Sequence, residues 1–178
     1  NWYFAQGISK EKLNLGVPSY GRGFVLPTNS EEKGLYCPAI GPLPGGPFTH
    51  EPGMWSYLEV LQALNNDTLY GLPGAVAKNW TTVIDGCYKV PYSINGPYWM
   101  SYDTKEAAVL KAPMANYLDI GGAMLFALDL DDFGGNFGEK YPLTRAVRET
   151  LDSHQVLDPE NIIGENSGCE SAPTCDIF

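Results

Sequence analysis

Two stretches of this chain share one build, and together they limit its fold more than any other feature. Residues 119–133 read DIGGAMLFALDLDDF. They predict a turn at Gly121 and Gly122, a buried strand over residues 123–128, and carboxylates crowded at its C-terminal end. Residues 13–24 read LNLGVPSYGRGF. Leu13, Leu15 and Val17 alternate up to Pro18, as in a short buried strand, and Tyr20, Gly21 and Arg22 follow. Each stretch is a strand that ends in polar side chains.

The elements around them can be read in order. Residues 1–6 predict the end of a helix stopped by Gly7, so the natural chain is expected to begin upstream of Asn1. Residues 28–52 are dense in Gly and Pro, with a turn at residues 44–47. Trp55, Leu58, Val60, Leu61 and Leu64 then form one apolar face at near-helical spacing. Residues 75–78, 81–84, 87–91 and 98–102 are β-rich and predict a small antiparallel sheet. Asp103-Thr104-Lys105-Glu106 has the form of a capping box, with Asp103 at the N-cap. Its helix should run toward Leu118 and kink at Pro113. Pro142 suits the first position of a last helix ending near Leu151. Residues 153–178 predict a polar tail.

A formal net charge of -10 argues against nucleic-acid and anionic-membrane partners. No apolar run approaches the length of a membrane span. No signal peptide is visible, so one is expected upstream if the protein is secreted. Cys37, Cys87, Cys169 and Cys175 allow three full pairings, and none has the Cys-x-x-Cys spacing of a zinc or thioredoxin-like site. Asn66-Asp67-Thr68 and Asn79-Trp80-Thr81 fit the N-glycosylation acceptor pattern, and with the even cysteine count they favour an extracellular protein.

The two strand-end motifs and the insertion between them, in this order, resemble the end of family-18 glycoside hydrolases, the chitinases and chitinase-like lectins. The resemblance runs from the first residues to about Leu151. It implies an α/β fold: the C-terminal part of a (β/α)8 TIM barrel, comprising the last two strands and their helices, with an inserted small α+β subdomain. The implied boundaries are residues 1–27 for a helix end and the penultimate strand, and 28–102 for the insertion. Residues 103–152 would form a barrel helix, the last strand and the final helix, with 153–178 a tail or linker.

Barrels of this kind carry their sites at the C-terminal ends of the strands. Amino sugars need aromatic planes for their apolar faces and oriented polar groups for hydroxyl and acetamido edges. Tyr20, Arg22, Glu51, Met54, Trp99 and Phe126 supply both kinds. The resemblance implies that Tyr20, Arg22, Glu51 and Met54 line a cleft for chitin or N-acetylglucosamine oligosaccharides. Without it, Tyr20 and Arg22 read as a strand-end hydrogen bond and a surface ion pair, Glu51 as a solvated carboxylate near a helix start, and Met54 and Trp99 as core. Phe126 departs from the Trp that catalytic members carry there, losing area and an indole donor, although it also reads as a tolerated core variant. Alternation would put Asp129 and Asp131 on one side and Asp132 on the other, so the three should not converge on a metal or a reacting bond.

The family's acid motif, Asp-x-x-Asp-x-Asp-x-Glu, does not occur in these residues. No residue here is assigned a catalytic role, and no cofactor or metal is expected. Family members protonate the leaving oxygen with a Glu, and the substrate's own acetamido group attacks. The chain alone should therefore be inactive. Two readings stand: a fragment of a secreted chitinase that contributes the sugar-binding wall, or a non-catalytic chitinase-like lectin or matrix protein.

Overall fold

The computed structural model describes residues 2–28, 30, 33–65, 70–76, 79–86 and 88–157. In chain order the helices and strands are α1 (Trp2–Ala5), β1 (Asn14–Pro18), β2 (Tyr20–Val25), β3 (Gly41–Pro42), β4 (Met54–Ser56), α2 (Tyr57–Asn65), β5 (Thr81–Ile84), β6 (Pro91–Asn95), β7 (Tyr98–Ser101), α3 (Lys105–Lys111), α4 (Pro113–Leu118), β8 (Gly122–Phe126) and α5 (Pro142–Asp152). The described residues divide into two compact units, residues 2–19 with 103–157 and residues 20–102.

In the first unit β1 and β8 pair in parallel, from Asn14 opposite Gly122 to Pro18 opposite Phe126. Gly121 donates to the Leu13 carbonyl at 2.8 Å. A Cβ there would lie 2.5 Å from the Glu11 carbonyl oxygen, so only glycine lets the chains approach this closely. The strand expected to be buried is not. Met124 is 51% and Phe126 58% exposed, because β1 is the one strand beside β8 among the described residues.

The predicted helix after residue 103 is divided at Pro113 into α3 and α4. Its N-cap is Thr104, whose hydroxyl accepts from Ala107 N–H, and not Asp103. Asp103 is buried and accepts from Lys111, and this ion pair takes its carboxylate away from the helix start. Pro142 does open α5, which buries Leu143, Ala146, Val147 and Thr150.

The second unit is an antiparallel sheet in the order β3-β2-β7-β6-β5, with β4 also on β2. The boundary expected after residue 27 therefore lies at Ser19/Tyr20, since β2 pairs with β3, β4 and β7. The strand expected at residues 87–91 is β6, which begins where that stretch ends. Ala75 closes a turn on the Leu72 carbonyl, so the strand expected at residue 75 does not start there.

The core of this unit is Leu43, Trp55, Val60 and Met100, each no more than 1% exposed. Gly21 and Gly23 explain how β2 lies against it. A Cβ on Gly23 would meet Leu43 at 2.6 Å, and one on Gly21 would meet Val60 and Met100 at 3.1 and 3.2 Å. Alternation then turns Tyr20, Arg22 and Phe24 to the opposite face.

At the start of α2, Ser56 Oγ accepts from Glu59 N–H at 3.2 Å, and the Glu59 carboxylate accepts from Ser56 N–H at 2.7 Å. This is a reciprocal capping box. The fully buried Glu59 carboxylate also accepts from Phe48 N–H, Thr49 N–H and the Thr49 hydroxyl. It fastens the Gly/Pro-rich loop to the β4–α2 corner.

Candidate functional site

The sheet face opposite the core brings four of the expected residues together. Arg22 lies across from Met54 on β4 and from Ser101 on β7, and Phe24 lies across from Trp99. Directly opposed residues share a face, so Tyr20, Arg22, Met54 and Trp99 all project from one side. The Arg22 guanidinium sits 5.3 Å from the centre of the Tyr20 ring, a cation–π arrangement that orients both groups. Glu51 is exposed in the turn before β4, where its carbonyl accepts from Met54 N–H. Phe126 belongs to the first unit, at the end of β8, and its peptide bond to Ala127 is cis.

Two further aromatic residues on this face were not singled out from sequence. Tyr92 stacks on Trp99 at 5.5 Å with 25° between the rings, and Phe24 tilts against Trp99 at 6.1 Å. Alternation from Tyr20 and Arg22 was a sufficient signal for Phe24. Burial raises the Tyr92 phenol above its usual range, so it stays protonated and neutral through ordinary pH. Such a face offers aromatic planes, one fixed guanidinium and a thioether, which suits a neutral ligand with both apolar and polar surfaces.

Residues 1–131 match the sequence description of glycosyl hydrolases family 18. The chain belongs to this family. Chitotriosidase-1 of Mus musculus is 34% identical over 167 residues, covering 92% of this chain and 32% of the mouse protein. Human YKL-39, described as a pseudo-chitinase with retained chitooligosaccharide binding properties, superposes with a TM-score of 0.72 at 32% identity, over 85% of this chain and 38% of its own. The Ostrinia furnacalis group IV chitinase in complex with allosamidin gives a TM-score of 0.74 at 30% identity, over 87% and 39%. The chain spans about a third of the length of relatives such as mouse chitotriosidase-1 and human chitinase-3-like protein 2.

In this family-18 chain the three aspartates do not follow the expected alternation. The strand ends at Phe126, a turn of 3-10 helix covers residues 128–130, and Asp131 and Asp132 are both fully buried while Asp129 is exposed. Asp131 accepts from Thr144 N–H at 3.0 Å and its hydroxyl at 2.8 Å, capping α5. Asp132 accepts from the backbone N–H groups of Asn136 and Phe137. Both are spent on holding the chain. Among the described residues no group of three or more His, Cys, Asp or Glu side chains is placed to hold a metal ion, and no helix is long and apolar enough to cross a membrane. Asn79 is exposed just before β5, whereas Asn66, Cys87, Cys169 and Cys175 lie outside the described residues. Cys37 is half-buried.

Proposed function

We propose that this chain is part of a larger secreted family-18 protein and supplies one wall of its cleft for chitin or N-acetylglucosamine oligomers. In this reading β1 and β8 are the last two strands of the parent (β/α)8 barrel, and the second unit is the α+β subdomain inserted after the first of them. Tyr20, Arg22, Glu51, Met54, Trp99 and Phe126 form the sugar-binding set. Hydrolysis of β-1,4 glycosidic bonds belongs to the intact parent, through an acid Glu on an earlier strand and the substrate's own acetamido group. The observation that carries the reading is the shared face of Tyr20, Arg22, Met54 and Trp99. An aromatic plane beside a guanidinium matches the two kinds of surface on an amino sugar.

The test is calorimetric titration of the intact parent with the N-acetylglucosamine tetramer. Arg22→Ala should weaken binding about tenfold, as expected for loss of one charge-assisted hydrogen bond. Unchanged affinity would contradict the assignment of this face.

A second reading, a chitin-binding lectin without activity, is favoured by Phe126, which stands where catalytic members carry Trp. The likeness to human YKL-39 lends it weight. Hydrolysis of the tetramer by the parent would remove it. Binding without turnover, unchanged in Phe126→Trp, would favour it.

A further inference from the structure

The aromatic face of β2 does not stop at Arg22. Phe24, the next residue to project from that side, is 43% exposed and opposes Trp99. Beyond the pair lies a cavity of about 260 Å³ lined by Phe24, Trp99, Tyr36, Leu26, Ala39 and their neighbours. We infer that this cavity is a second, distal sugar subsite, which receives the apolar face of an additional N-acetylglucosamine unit when a long oligomer lies along the sheet.

Three observations support this occupant. Among the described residues the lining presents three aromatic rings and no charged side chain, which suits a neutral ligand with apolar surface. Trp99 is held by Tyr92 stacked on it and by Phe24 beside it, so its ring is preorganised and loses little rotamer freedom on binding. The cavity also continues the same strand face. Phe24 is two residues beyond Arg22, roughly 7 Å along the strand, so a chain bound at Tyr20 and Arg22 and running along β2 would meet it. The inference rests on the proposed sugar-binding face and assigns a length preference that the face alone does not give.

Two variants of the intact parent test it. Phe24→Ala removes one exposed wall, and Ala39→Trp fills the cavity from an exposed position, so neither disturbs the core. Affinities for the N-acetylglucosamine dimer, trimer and hexamer would be measured by calorimetry, with Arg22→Ala alongside. The expected result is a loss of about tenfold for the hexamer in both cavity variants, the scale for losing one buried apolar face. The dimer, seated at Tyr20 and Arg22, should be unaffected by Ala39→Trp, which leaves Trp99 and its neighbours in place, while Arg22→Ala weakens every length. If both cavity variants leave hexamer binding intact, or Ala39→Trp weakens dimer and hexamer alike, the distal subsite is wrong and the wall stands on Arg22 alone. If the wild-type parent binds no oligomer, the proposed function and this inference fall together.

Discussion

In the second unit β2, β7 and β6 have partners on both edges, and four large side chains beneath them are all but sealed from water. In the first unit β1 and β8 have only each other among the described residues, and Met124 and Phe126 are more than half exposed. Apart from Val17 on β1, burial there lies mainly in the helices, where Ala107, Ala108, Ala112, Ala115, Leu143, Ala146 and Val147 are covered. Small side chains let α3, α4 and α5 pack closely, but they bury little area each. One unit therefore holds the proposed sugar-binding face on a sheet with its own core. The other holds a strand pair in which Val17 is buried but Met124 and Phe126 are open, which is where a parent barrel would add neighbours.

The strongest way to break this contrast is to remove the buried Glu59 carboxylate. Glu59→Ala would leave the donors at Phe48, Thr49 and Ser56 without their acceptor. A loss of about 4 kcal/mol is expected, because charge-assisted bonds and several buried donors go together. Hydrogen exchange would show it as faster exchange at β2, β4 and α2, with α5 unchanged if the units open independently.

A smaller effect is expected in the first unit from Asp131→Ala. It removes the acceptor that caps α5 at Thr144 and costs about 2 kcal/mol, read as a lower urea midpoint with faster exchange confined to α5 and its approach.

The smallest effect concerns the ion pair of Lys105 with Glu139, whose side chains are 45% and 40% exposed. The hydrogen bond from Lys105 holds the Glu139 carboxyl below its usual range, and the same bond holds Lys105 above its own. A depressed carboxylate adds stability above its unfolded pKa, and the gain is lost as pH falls through the folded value. The raised ammonium adds stability below its unfolded pKa and loses it as pH rises through the folded value. The pair is therefore fully formed near neutrality, and its contribution fades in acid. Glu139→Gln should flatten that acid limb slightly and leave the neutral midpoint almost unchanged, because exposed pairs contribute little. A Glu139 carboxyl resonance titrating at the ordinary carboxylate pH would contradict it.

What was legible in the sequence follows the same division. The strand at residues 13–18, the glycine turn before β8, the break at Pro113 and the start of α5 at Pro142 were all readable, because Gly and Pro act locally. β6 was not, because its buried positions include Ser93 and Asn95, which blur the apolar alternation. Tertiary bonds satisfy them: Ser93 is within 2.7 Å of the Tyr102 hydroxyl, and Asn95 exchanges two 2.8 Å bonds with the Val76 backbone. The Ser56–Glu59 capping box was visible as Ser-x-x-Glu but was masked by the apolar spacing around it. At the site, Tyr20 and Arg22 were singled out through the family resemblance and expected just past a strand end, whereas they lie inside β2. The cavity beside Phe24 could not be read, since Tyr36 and Ala39 come from an irregular loop whose path no periodicity encodes.

In the proposed function the exposed face of the second unit receives the sugar. This is tested most directly by the crystal structure of the intact parent with the N-acetylglucosamine hexamer. Sugar rings should lie against Tyr20 and Arg22, with the chain reaching Phe24 and Trp99. A hexamer seated elsewhere, with that face in water, would contradict it.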